Sequence, residues 1–304
     1  MAASQNATRI FQQAFATQMV EGESTAGRFG RVGSPNGAGI HEVSAGAFGG
    51  TMSSLSRTAT SASASDWFTY ATQFTLAQKF VKHTIPKRTF VIDNAIADAG
   101  RQLADCVFGE VDAQFWAGME GLFTAAHPRV GTGAGQVGAS KKYIDTGLAY
   151  LAGEGGAGTQ DNLLTSALSE TSLKAAIKLL LNQKSDRGTN LHIGARGGLK
   201  LAVAPKNVDV AHELVRSMLS GSDMADNFLR GLIDAIVTYP LAADDDDWFL
   251  CSQMNTPVGI SVDQAPMAYF SPSDDGLFVH LVATVDMTFW KAPYEHGLIG
   301  SNVA

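Results

Sequence analysis

Charge is what this chain has least of. Only 17% of its 304 residues are Asp, Glu, Lys or Arg, against about a quarter in an average globular protein. Thirty-two glycines, with many Ala, Ser and Thr, take the remaining room. So few charges suit a surface that copies of the same chain cover, or one built from many turns. The balance is acidic, −7 at pH 7, which argues against a broadly basic surface for nucleic acid, because phosphate contacts need clustered Lys and Arg. A local basic strip is compatible with that balance. Cysteine is scarce too. Cys106 and Cys251 stand far apart, form no disulfide framework or zinc spacing, and read as buried small hydrophobes. Residues 1–20 lack the charged start and apolar run of a signal peptide. No apolar run approaches the roughly 18 residues of a membrane span. These absences predict a protein made and folded in a reducing cytoplasm.

Recognisable chemistry is also missing. Gly133-Ala-Gly-Gln-Val-Gly138 spells GxGxxG, but a dinucleotide fingerprint needs a strand before it and a helix opening at its third glycine. Here His127-Pro-Arg129 precedes and polar residues with two lysines follow, and no lysine stands where a phosphate loop requires one. The seven histidines (His41, His83, His127, His192, His212, His280 and His296) are scattered, none four residues from another, and there is no HExxH. Scattered histidines read as structural. Asp244–Asp247 lacks the alternate spacing of a calcium loop and reads as a solvated turn. No GxSxG elbow or cysteine-nucleophile signature is present. No catalytic, cofactor-binding or metal-ligating residue is therefore nominated.

What is present is pattern. Apolar residues make up 45% of the chain, enough for a folded core. Ile92, Ile96, Ala99, Leu103, Val107, Val111 and Phe115 recur every three or four residues, which predicts one amphipathic helix over Asp93–Met119, about 40 Å long at 1.5 Å per residue. Its opposite face carries Asp98, Asp105 and Asp112, expected to be solvated or to meet basic residues of a neighbour. Residues 1–20 predict a shorter helix with Ile10, Phe11, Ala14, Phe15 and Met19 on one side. Residues 21–65 are Gly, Ser, Ala and Thr with few large apolar side chains, too long for a structureless loop inside a domain. Phe68, Tyr70, Thr72, Phe74, Leu76 and Phe80 then alternate like a strand, predicting a hairpin over about 38–82 that needs a neighbouring subunit to rest on. Between 121 and 260 the order is helix, strand, helix, strand. Ser169 is the expected cap of a helix buried through Leu173, Ile177, Leu180 and Leu181; Leu199–Ala204 reads as a buried strand, Val208–Leu219 as a second helix, and Leu232–Tyr239 and Trp248–Cys251 as further strands. From Gly259 the chain is strand-like again, with Phe278, His280, Val282, Thr284, Asp286 and Thr288 alternating against apolar neighbours.

This order of parts resembles the major capsid protein of tailed bacteriophages, the HK97-like fold, and within it the Mu-type major head subunit group. The residues that carry the resemblance are Gly121-Leu-Phe-Thr-Ala-Ala-His-Pro128, Asn162-Leu-Leu, Leu168-Ser-Glu-Thr-Ser-Leu173, Asn182-Gln-Lys-Ser-Asp-Arg-Gly188, Leu201-Ala-Val-Ala-Pro205, Asn227-Phe-Leu-Arg-Gly231 and Asp245-Asp-Asp-Trp-Phe-Leu250. Each is weak alone, and their order and spacing across about 120–250 make the match specific. Residues 1–90 match in layout and the last 40 in character.

The resemblance implies an α+β chain in four parts: an N-terminal arm over 1–35, an extended loop (a β-hairpin) over 36–85, a peripheral domain with its spine helix over 86–120 and 261–304, and an axial α/β domain over 121–260. It implies self-association into hexamers and pentamers of an icosahedral shell around double-stranded DNA, without sequence-specific binding, cofactor or membrane. Scaffold, portal and possible decoration proteins would be partners, with assembly in the host bacterial cytoplasm and residence in the virion. Some relatives cross-link Lys to Asn between subunits; Lys79, Lys82 and Lys87 match no such motif, and that activity is not carried over. Met1 opens without a long charged helical prefix, so a separate scaffold protein is expected. An encapsulin-type compartment, and an α/β enzyme binding a nucleotide through Gly133–Gly138, stand as alternatives.

Overall fold

The computed structural model describes residues 2–21, 24–33, 40–48, 67–75, 77–86, 93–131, 136–150, 158–185, 188, 190–216, 228–239, 245–272 and 277–303. The chain divides into two compact units. The first comprises Met1–His41, Phe74–Phe115 and Gly259–Trp290; the second comprises Glu42–Gln73, Trp116–Val258 and Lys291–Ala304.

The first unit is one long helix on one sheet. Helix α3 runs Asp93–Glu120, and its residues through Phe115 belong here. Ile96, Ala99, Leu103, Val107, Val111 and Phe115 are all buried, as their spacing predicts; Ile92 lies outside the described residues. Each large side chain of this stripe stabilises the fold by about 1.5–3 kcal/mol. The sheet has the order β1–β11–β12–β4, with β1 Arg31–Gly33, β4 Ala77–Pro86, β11 Val258–Pro272 and β12 Phe278–Lys291. β12 pairs antiparallel with β4 over ten residues, and β1 pairs parallel with β11 over three. Period two shows in β12: Leu281, Ala283, Val285 and Met287 are buried, while His280, Thr284, Asp286 and Thr288 are half-buried on the other side, where Val282 is buried as well. Phe115 meets Phe289 edge-on at 5.7 Å, and Lys79 on β4 pairs with Glu110 at 3.2 Å. The spine thus packs on the C-terminal strands, as its apolar face predicts.

The predicted hairpin is shorter than its sequence suggests. β2 (Ile40–Phe48) and β3 (Trp67–Thr75) form a two-stranded sheet of their own, but residues 77–86 leave it to become the edge strand β4. Ten backbone pairs with β12 outweigh a continued two-strand ribbon. Residues 49–66 lie outside the described residues.

At the N-terminus, α1 (Ala2–Glu21) is the helix expected from Ile10, Phe11, Ala14, Phe15 and Met19. Phe11 and Phe15 are buried, and Phe11 lies 4.7 Å from Phe270 of β11. A second short helix, α2, follows at Thr25–Phe29.

The second unit is a five-stranded sheet, order β7–β13–β10–β8–β9, with helices against it. Its strands are β7 Leu163–Leu164, β8 Leu199–Val203, β9 Ile233–Thr238, β10 Trp248–Ser252 and β13 Leu298–Ser301. The small hairpin β5 (Leu148–Tyr150) and β6 (Gly158–Gln160) stands beside it in sequence. α4, Glu170–Asn182, opens with a capping box: Ser169 Oγ accepts from the Ser172 amide while Ser172 Oγ accepts from the Ser169 amide. Leu173, Ile177 and Leu180 enter the core with Leu201, Val203, Trp248, Leu250 and Ile299; Leu181 packs on its margin. α5 covers Val208–Arg216, and residues 217–219 of the expected helix lie outside the described residues. The last strand, β13, pairs with β10, so the C-terminal strands are shared between the two units.

Candidate functional site

Three places carried sequence expectations of chemistry. The first is the GxGxxG stretch. Gly133 and Gly135 lie outside the described residues, but the context is visible. Gly131 and Gly138 face each other in an isolated antiparallel bridge, both with left-handed φ (149° and 114°), and a turn rather than a helix follows Gly138. The helix N-terminus that would receive a pyrophosphate is not there.

The second is the acidic turn. Asp244 is outside the described residues. Asp246 pairs with Lys206 at 3.0 Å, and the Asp245 carbonyl accepts from Asn207 Nδ2 at 2.9 Å. Asp247, expected in solvent, is buried and its Oδ1 accepts the Val303 amide at 3.0 Å. The correction has a physical reason: the chain's last residues return to this turn and need an acceptor.

The third is the set of histidines. Among the described residues no group of three His, Cys, Asp or Glu side chains could hold a metal ion. His83 and His192 are exposed, and His280 Nδ1 lies 2.9 Å from Thr84 Oγ1. His127 is different. It is sealed with Arg129 and Glu295, each 2% exposed or less. The Arg129 amide donates to His127 Nδ1 at 3.0 Å, so that nitrogen is unprotonated; Nε2 carries the proton and donates to Glu295 Oε2 at 3.0 Å. Arg129 NH2 donates to the same oxygen at 2.9 Å, and Gln160 Nε2 donates to Oε1 at 3.1 Å. Arg129 Nε donates to the Pro293 carbonyl at 3.0 Å, and its guanidinium lies 4.2 Å from the centre of the Tyr294 ring. Burial pushes the Glu295 carboxyl up, but the His127 hydrogen bond and the charge of Arg129 together override it and hold the group well below the usual carboxylate range. Beside it, burial first and Glu295 second push the Tyr143 hydroxyl well up; its oxygen sits 3.0–3.4 Å from the carbonyls of Ala292, Tyr294 and Pro257. Lys291 lies next door, its pKa lowered by burial to about 8 and its Nζ donating to the Ala126 carbonyl at 2.9 Å. With its polar atoms engaged internally and almost none of it exposed, the His127–Arg129–Glu295 cluster fastens residues 127–129 to 293–295. Sequence reading missed it because its partners are 166 and 168 residues apart; the only local sign was the His-Pro-Arg run.

Among the described residues, one surface with exposed large apolar side chains is a face of the four-stranded sheet in the first unit. Phe80 is 71% exposed, Met267 60% and Tyr269 48%. Phe80 sits across from Thr284, Lys82 from Val282, and Thr84 from His280. Phe80, Lys82, His280, Val282 and Thr284, with Gln78, Tyr269 and Ser271, line a groove of about 410 Å³. Phe80, Met267 and Tyr269 are large apolar side chains left in water among polar neighbours, and aromatic residues and Met are the types enriched at interface centres. Cys106, expected in the core, is exposed. It lies on the rim of the α3 stripe, one turn before the half-exposed Glu110.

No protein-family model matches this sequence, and no curated protein does. Solved structures do match. The virus-like particle from Pyrococcus furiosus aligns over 97% of this chain and 99% of its own, at 11% identity and a TM-score of 0.53. The capsid of a native GTA particle aligns over 93% and 91%, at 12% identity and 0.55. The capsid of Ralstonia phage GP4 aligns over 90% and 85%, at 10% identity and 0.54. At such identities the likeness is one of fold, and the chain has the mixed α+β HK97-like fold of these shell-forming capsid proteins.

Proposed function

We propose that this protein is a major capsid subunit of the tailed-phage type that assembles with itself, as hexamers and pentamers, into a closed icosahedral shell around double-stranded DNA. The observation that carries the proposal is the exposed aromatic face around Phe80 and Tyr269, on a chain whose fold is that of capsid subunits. A lone subunit leaves that face in water; a shell covers it. In this reading residues 1–35 and 36–85 are the segments through which copies interlock, 121–260 surround the capsomer axis, and the sealed cluster at Glu295 holds each subunit's shape. Scaffold, portal and decoration proteins are further partners, and membership of the Mu-type subgroup is part of the proposal. The acidic balance suits a wall that confines DNA mechanically. Negative-stain electron microscopy of the purified protein tests the reading: closed particles or ring-shaped capsomers are expected, and a monomer at every concentration, salt and pH overturns it. An encapsulin-type compartment shares the shell and differs in cargo. Particles purified from cells and treated with nuclease separate the two, since a phage head protects long duplex DNA and a compartment protects protein.

A further inference from the structure

Several charged groups of the first unit are answered within the chain. Asp105 accepts from Gln18 Nε2 at 2.7 Å. Asp112, expected in solvent or against a neighbour's cations, caps α2 instead, accepting from Ser24 Oγ at 2.6 Å and from the amides of Thr25 and Ala26 at 3.2 and 2.9 Å. Lys79 pairs with Glu110, and Arg101 with Asp98. The groove on the four-stranded sheet differs. Lys82 and His280 both line it, and among the described residues no carboxylate does. His280 can change charge in place. Its Nδ1 lies 2.9 Å from Thr84 Oγ1, and a hydroxyl can donate to a neutral ring or accept from a protonated one. The ring needs no movement to take up a proton; what it meets is a second cation. Lys82 faces Val282 and Thr84 faces His280, so Lys82 is the diagonal neighbour of His280, about 7 Å across the strands. From β11, Tyr269 and Ser271 face the groove, and their hydroxyls supply no countercharge. Asp286, the acid of β12, lies on the same side but farther along the strand, about 20 Å away at ~3.4 Å per residue. Lys79 and Glu110 pair on the opposite side of the sheet, where His83, across from Leu281, also lies.

We propose that His280 gates the closing of this face between copies: the neutral imidazole lets a second copy cover the groove, and the imidazolium holds the copies apart. The inference rests on the shell reading. Its physical basis is the difference between a wet and a covered groove. An imidazole ordinarily titrates near pH ~6.5, and in the free subunit water solvates either form. Once the groove is covered, an imidazolium and the Lys82 ammonium lose that water side by side, with no countercharge from this chain. The neutral ring leaves one cation instead of two. Covering the groove below the imidazole range must therefore expel a proton. Each contact then weakens by up to about tenfold for every pH unit below that range, and is unaffected above it.

The test titrates the concentration of the full chain at about pH 7.5 and about pH 5.5, either side of the ordinary imidazole range, and reads the threshold for particle formation by light scattering. The wild-type threshold is expected to be roughly tenfold higher in acid. His280→Gln, whose amide can still meet Thr84, should show one threshold at both pH values, and Lys82→Met should narrow the wild-type difference. An equal acid shift in the wild type and His280→Gln overturns the gate while leaving the shell reading intact. A lower wild-type threshold in acid overturns it as well, because the neighbour then brings a carboxylate to the groove. If the wild type forms no particle at any pH, the shell reading falls and the gate falls with it. Should His280→Gln fail to fold, the wild type alone decides: assembly in weakly buffered solution near pH ~6 must release protons, and no release, or uptake, overturns the proposal.

Discussion

Glu295 shows how a single buried charge is made tolerable. Taking a carboxylate out of water costs several kcal/mol, and removing one member of a buried pair costs roughly 3–5 kcal/mol because the other is left uncompensated. Here Arg129 supplies the charge, while His127 and Gln160 supply the remaining donors. Glu295→Gln keeps the shape, strands the Arg129 charge, and should lower unfolding stability by about 3 kcal/mol at pH 7. The pH dependence has a definite sign. A carboxyl held below its unfolded value contributes stability that is fully present above the ordinary glutamate range, near pH 4.3, and is lost as pH falls through the depressed folded value. Urea unfolding of both proteins from pH 7 to pH 2.5 should therefore show a wild-type advantage that is constant down to about pH 4.3 and shrinks below it. An advantage that peaks in acid would mean Glu295 is protonated in the fold.

At the scale of elements, close approach of helices decides whether the first unit holds its N-terminal segment. Gly100 sits where the backbones of α1 and α3 nearly touch. Gly100→Ala raises helix propensity by about 1 kcal/mol, so on propensity alone it stabilises. The steric cost runs the other way, typically about 1–3 kcal/mol for overpacking, and the obstacle is backbone, which cannot swing aside. The expected outcome is net destabilisation of α1 docking, read as faster amide exchange across residues 7–19, while α4 and β8 in the second unit keep their protection. Unchanged exchange in α1 would show that the contact yields at no cost. The elements themselves were legible where one residue pattern suffices: the stripe from Ile96 to Phe115, the alternation from His280 to Thr288, and the cap at Ser169. What joined them was not. Nothing local marks Asp112 as the cap of a helix 86–88 residues away, and nothing local tells β3 from β4, because alternation continues through Phe74 and Phe80 while the pairing partner changes. Cys106 failed for a related reason: one-dimensional periodicity places it at the stripe's border, and only the packed neighbours decide which side of the border is wet.

For the whole molecule, the scarcity of charge and the open aromatic face make one claim together: association should be driven by apolar burial and be little weakened by salt, since few ion pairs are available to screen. Phe80 is the residue on which to test it. At 71% exposed in the free subunit, it contributes little to folding, and a surface change of this kind usually shifts stability by no more than about 0.5 kcal/mol. In the shell proposed above, the same side chain would be covered in every copy. Phe80→Asp then asks each contact to bury an unpaired carboxylate, a penalty of several kcal/mol per site, repeated around the particle. The subunit's unfolding midpoint should stay within error of the wild type while sedimentation velocity shows particles replaced by free subunits or isolated capsomers; Phe80→Tyr, which keeps the ring, should still assemble. If Phe80→Asp forms particles at the same protein concentration as the wild type, the face that closes the shell lies elsewhere on the molecule.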